Sequence, residues 1–115
     1  MNSIGEKLNM GELSRTSRVL DVNELMTLLK TSMGISVYWS WGPSNFVIND
    51  KRNPRVFRMN VRGYVHTGRV YIVVNGMDLF DVYLTTSRDV IKDVIMGVYF
   101  DDLVNEMDKK IERRG

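Results

Sequence analysis

The chain has 115 residues, 43% hydrophobic and 26% charged, which suits one folded domain with a single core and excludes a disordered chain. It contains no cysteine, so disulfides, thiol catalysis and thiolate metal sites are excluded together. The formal charge of +2 is unevenly spread: Lys51, Arg52, Arg55, Arg58, Arg62 and Arg69 stand in a window without Asp or Glu, while elsewhere ten basic residues face fourteen acidic ones. Such a local positive field attracts anions more than the net charge suggests.

Residues 1–20 have no sustained periodicity and are expected to form a flexible lead ahead of a single domain over residues 21–115. They lack the continuous apolar segment of a secretory signal, and the longest apolar run, Val70–Val74, is far below the ~20 residues that cross a bilayer. A cytoplasmic location without a membrane partner is therefore expected. Asp21 and Glu24 form a capping box, and Val22, Leu25, Met26, Leu29 and Met33 make one apolar stripe, predicting a helix that ends at Gly34.

From Ile35 the period changes to two. Ile35, Val37, Trp39 and Trp41 alternate with Ser36, Tyr38 and Ser40, which predicts a strand ended by the Gly42-Pro43-Ser44-Asn45 turn. Phe46–Ile48 reads as a short return strand, and Asn49–Pro54 as a polar loop. Arg55–Val65 reads as a strand with Phe57, Met59 and Val61 on one side and Val56, Arg58, Asn60 and Arg62 on the other, followed by a His66-Thr67-Gly68 turn. Strands over Val70–Val74 and Phe80–Leu84 flank Asn75-Gly76, the dipeptide favoured in a type I′ hairpin turn.

Arg88–Val98 has apolar residues at helical spacing but is rich in β-branched residues, which favours a strand. Phe100, Leu103, Val104, Met107 and Ile111 predict a closing helix, with Asp101 and Asp102 at its positive start, Lys109 and Lys110 near its negative end, and a Glu106–Lys110 pair. The expected fold is α+β in two layers: an N-terminal helix, an antiparallel meander of four to six strands, and a C-terminal helix, both helices on one sheet face.

The other face is then expected to be open, bearing Ser36, Tyr38, Ser40, Arg58, Asn60, Arg62, Tyr71, Asp81, Tyr83 and Thr85. Arginine offers charge to phosphate and tyrosine a ring for a base to stack on. The leading expectation is a small non-catalytic binding or assembly module acting through this face, with a protein partner or a second copy. The alternative is single-stranded nucleic-acid binding through Arg52, Arg55, Arg58, Arg62, Tyr38, Tyr71 and Tyr83. Against both stands the plain structural role of such residues, which cover a half-buried pleat and pair across strands, as Arg58 or Arg62 could with Asp81.

Trp39 and Trp41 share a parity and are expected in the core, with a ligand pocket as the competing reading. His66 reads as a solvated turn residue, since without a second ligand at suitable spacing neither metal binding nor acid–base catalysis has support. Asp89 and Asp93 would meet on a helix but not on a strand, and no acidic run matches a calcium-loop spacing. With no phosphate loop, GxSxG elbow or HExxH, the expectation is no enzyme, no cofactor and no metal; an unrecognised catalytic site is the remaining alternative.

Overall fold

The structure is a computed structural model that describes residues 2–31 and 40–112. Its centre is a five-stranded antiparallel sheet in the order β1-β2-β3-β4-β5: β1 is Ser44–Ile48, β2 Phe57–Arg62, β3 Thr67–Val74, β4 Phe80–Thr85 and β5 Ile91–Val98. Helices α1 (Met10–Thr16), α2 (Val22–Thr31) and α3 (Leu103–Ile111) accompany it, the last entered through a 3-10 turn at Phe100–Asp102. The α+β meander with flanking helices is as expected. No helix of the described residues is long and apolar enough to cross a membrane.

Period-two patterning sorts the sheet into two faces. Phe57, Met59, Val61, Val70, Ile72, Val82, Leu84 and Ile95 point to one side, where Leu25 and Leu29 of α2 and Leu103, Val104, Met107 and Ile111 of α3 complete the larger core. Asp21 caps α2 by accepting the Glu24 amide at 3.0 Å, as the sequence pattern requires. Trp41 is fully buried in this core and donates its indole N–H to Asp108 of α3 at 2.9 Å. The strand expected up to Trp41 does not reach it, since Ser40 is helical and Trp41 stands in a turn; Tyr38 and Trp39 lie outside the described residues.

The opposite face is not left bare. Leu8, Leu13 and Met10 pack there on Val56, Tyr71, Val73, Tyr83, Ile91 and Val94, forming a second, smaller core. Residues 2–20, expected as a free lead, therefore form a strap. Glu6 and Leu8 exchange backbone hydrogen bonds with Ile91 and Asp89, α1 follows, and Arg18 and Leu20 bond to Val74 and Pro54, each at 2.8 Å. The signal for α1 is local: Asn9 Oδ1 accepts the Glu12 amide at 3.0 Å as an N-cap, and α1 buries little beyond Leu13. A helix with so short an apolar stripe leaves no periodicity to read.

The ambiguity over residues 88–98 also has a cause. β5 slips register between Leu84 and Thr85 of its partner, so that Leu84 faces Asp93 and Thr85 faces Ile91. The extra residue reverses the facing, sending Ile91 under α1 while Ile95 joins the larger core. Helical spacing of apolar residues thus serves a bulged strand covered on both sides.

Two turns differ from expectation. The positive φ of the β3–β4 loop falls on Asp78 (61°) rather than on Asn75 or Gly76, because Asn75 Oδ1 accepts the amides of Met77 and Leu79 and fixes a longer loop. The β2–β3 turn lies at residues 63–66, ahead of Thr67. Ile111 at the end of α3 accepts both the Val65 and His66 amides, and a side chain at Gly63 would collide with that carbonyl. His66 is accordingly buried, 4% exposed, rather than solvated.

Candidate functional site

The strap divides the polar side of the sheet in two. Tyr71 and Tyr83, directly paired across β3 and β4, lie under α1 at 1% and 7% exposure and offer no ring to a stacking base. Burial raises the pKa of both phenols, for Tyr71 aided by its hydrogen bond to Asp89. Arg55 reaches back to the strap, donating to the carbonyl of Ser17 at 3.0 Å just past the end of α1, where a cation is favoured. Arg52 is exposed in the loop before β2. Arg55, ahead of β2, and Arg62 at its end are seven positions apart along the chain, roughly 23 Å if extended. The expected arginine and tyrosine sites therefore do not converge, and Tyr38 is not among the described residues.

What does converge is the end of the sheet beyond the strap. Ser44, Asn60, Arg69 and Thr85 stand in register across β1 to β4, and Arg62 pairs with Thr67 one step further along β2 and β3. A cleft of about 520 Å³ opens here, lined by Gly42, Ser44, Asn45, Asn60, Val61, Arg62, Thr67, Gly68, Arg69 and Ser87. Its wall is built by the segment before β1: the Arg62 amide donates to the Trp41 carbonyl at 2.5 Å, and Gly42, with φ of 56°, turns the chain against the Arg62 side chain.

The two guanidinium groups are not equivalent. Arg69 donates to Asp89 Oδ1 at 2.9 Å, and the same oxygen accepts the Tyr71 hydroxyl at 2.5 Å. That pairing raises the arginine's pKa. Arg62 is exposed and makes no ion pair among the described residues. The expected neutraliser, Asp81, instead accepts from Gly97 and Asn75. On the diagonal of an antiparallel pair, Cβ atoms are about 7–8 Å apart, so Arg62 and Arg69 can close on one anion.

Two polar atoms on this face of β2 are buried without a partner, Asn60 Oδ1 and Arg58 Nε. Such atoms are uncommon in a folded chain, and being closed to solvent they are equally closed to a ligand in the cleft. The acidic residues do not gather into a metal centre: Asp93 pairs with Lys110 at 3.0 Å, Asp89 with Arg69, and no metal-binding group of His, Cys, Asp or Glu occurs among the described residues. The lining side chains themselves are guanidinium, carboxamide and hydroxyl, a set that holds an anion without supplying a general base.

Arg62 and Asn60 were legible as outward residues, and Arg69 shares the parity of Tyr71. Ser44, Asn45 and Ser87 come from turns brought together only by tertiary structure. Comparison with protein families, curated proteins and solved structures finds no match to this chain in any of the three.

Proposed function

We propose that the protein is a non-catalytic binding module that takes an anionic partner in the cleft between Arg62 and Arg69. The observation that carries this reading is the convergence of both arginines with Asn60, Ser44 and Thr67 in one cleft whose lining contains no carboxylate. The strap supports it as well, since it covers the apolar and tyrosine-bearing part of the face and leaves the arginine-bearing end uncovered. The test is a titration with inorganic phosphate and sulfate, followed by amide chemical shifts. Shifts should cluster at residues 42–45, 60–62, 67–69 and 87 and weaken as salt rises. Arg62→Gln, at an exposed position, should reduce affinity about tenfold, the loss of one charge-assisted hydrogen bond, without altering stability. Shifts scattered over the surface, or equal affinity in the variant, would refute the assignment.

A second reading, assembly with another copy, is favoured by β1. This edge strand has no charged residue, and Phe46 and Val47 are exposed on it, whereas the start of β5 is bridged by Lys7 of the strap. Sedimentation over a concentration series tests it: association should be abolished by Val47→Lys, and a wild-type monomer at high concentration removes the idea.

A further inference from the structure

The two edges of the sheet are finished differently. The strap closes the start of β5, where Ile91 exchanges backbone hydrogen bonds with Gly5 and Glu6 at 2.8 Å, and the residues that follow it, Lys92 and Asp93, are charged. β1 stands at the other edge. Outside its ladder with β2, no backbone hydrogen bond among the described residues reaches Ser44–Ile48. The strand holds no charged residue and no proline, two of the devices that blunt an edge. Its one irregularity lies between Ser44 and Val47, with Asn45 at a φ of 53°.

One bond fixes which way the β1 backbone groups point. The Asn49 amide donates to the Val56 carbonyl at 3.3 Å, while Ile48 and Val47 face Phe57 and Arg58. Asn49 and Val56 are therefore a hydrogen-bonded pair, and by alternation Ile48 turns its N–H and C=O away from β2. Phe46 shares the face of Ile48: its ring lies 5.9 Å from that of Phe57, and Ile48 packs on the same core. The two-residue period thus holds from Phe46 to Ile48, and both residues offer their backbone groups outward.

Side chains select the partner and its register. Phe46 and Val47 are exposed, and Ile48 is half-buried beside them. A second β1 laid antiparallel about a two-fold axis through Val47 sets Val47 against Val47 and Phe46 against Ile48. It also makes hydrogen-bonded pairs of the residues whose groups point outward. Moving the axis to Phe46 sets Val47 and Ile48 against Asn45 and Ser44, and moving it to Ile48 sets Phe46 and Val47 against Asp50 and Asn49. Around such an axis a charged residue meets its own copy or a near neighbour, and β1 brings no charge to repel.

Resting on the assembly reading above, we infer that the partner is a second copy of this chain, joined by antiparallel pairing of the two β1 strands about a two-fold axis through Val47. One sheet then runs from the β5 of one copy to the β5 of the other. Phe46, Val47 and Ile48 bury less than the roughly 1,600 Å² of a standard interface, so the dimer is weak, dissociating at about 10–1,000 μM.

The chain has no cysteine, so a single introduced one reports contact between copies alone. Facing Cα atoms in a non-hydrogen-bonded pair are about 4.5 Å apart, within the span of a disulfide. Val47→Cys should form a covalent dimer under mild oxidation at least roughly tenfold faster than Met77→Cys, exposed in the β3–β4 loop, because pairing holds the sulfurs at high effective concentration. Phe46→Cys mixed with Ile48→Cys should give the mixed dimer in preference to either homodimer. In the unaltered protein, hydrogen exchange at the Ile48 amide should slow as concentration rises, while that of Val47, which faces β2, should not. A dimer in sedimentation whose Val47→Cys variant crosslinks no faster than Met77→Cys overturns the inference and leaves assembly standing. A strict monomer at about 1 mM overturns both.

Discussion

Leu13 tests whether the N-terminal strap is part of the folded core. It is 3% exposed and packs against the tyrosine-bearing face of the sheet. Leu13→Ala removes three carbons from this contact, about 2.4 kcal/mol at about 0.8 kcal/mol per buried methylene. Incomplete collapse of the space left behind brings the expected loss to about 3–4 kcal/mol. That is a large part of the ~5–15 kcal/mol available to a domain of this kind. With a denaturant slope of about 1.5 kcal/mol per molar, the urea midpoint should fall by roughly 2 M. Val19→Ala, at a strap position 51% exposed, is the internal control and should change stability by less than about 0.5 kcal/mol. If both variants unfold at the wild-type midpoint, residues 2–20 contribute nothing to the core. Tyr71 and Tyr83 would then be accessible, and a nucleic-acid platform would regain its rings.

His66 makes stability pH-dependent. Burial holds its pKa below the ordinary 6.5, opposed by its hydrogen bond with the Arg69 carbonyl and by Asp93, and reinforced by Lys92; Lys110 of α3 lines the same small cavity. The unfolded chain takes up the proton first as pH falls, so the contribution is complete above about pH 6.5 and is lost as pH drops below it. The urea midpoint should decline over that interval, and His66→Gln should flatten the decline. Gly63→Ala places a methyl group on the Ile111 backbone carbonyl, which cannot move without shifting α3, and should cost about 2 kcal/mol or more in thermal or urea unfolding. Asp108→Ala strands the buried Trp41 indole N–H and should destabilise by about 1–3 kcal/mol, with the change readable in tryptophan fluorescence. The Asp21→Ala change removes the α2 cap and should cost about 1 kcal/mol in the same assay.

Charge pairing shows where local rules stop. Glu106 and Lys110 have the spacing of a helical pair, yet Glu106 bonds Lys109 while Lys110 reaches Asp93 on β5. The alternative partner comes from another element, which no spacing along one helix can report. Likewise, Arg58 and Arg62 were candidates to pair with Asp81, but a bulge places the Gly97 amide on that carboxylate.

Period-two alternation by itself determined the strands β2 to β4 and which of their residues share a face, because a pleat admits only that spacing. The Asp21–Glu24 cap and the stripe of Leu25 and Leu29 likewise determined α2 from neighbouring residues alone. Tertiary structure decided what covers each face. The strap buries Leu8, Leu13 and Leu20 at spacings that fit neither a helix nor a strand, and its backbone hydrogen bonds to Ile91, Asp89, Val74 and Pro54 use groups that every residue possesses and that leave no mark on side-chain pattern. That cover turned the two tyrosines into core, and it stops short of Asn60, Arg62 and Arg69, which line an open cleft.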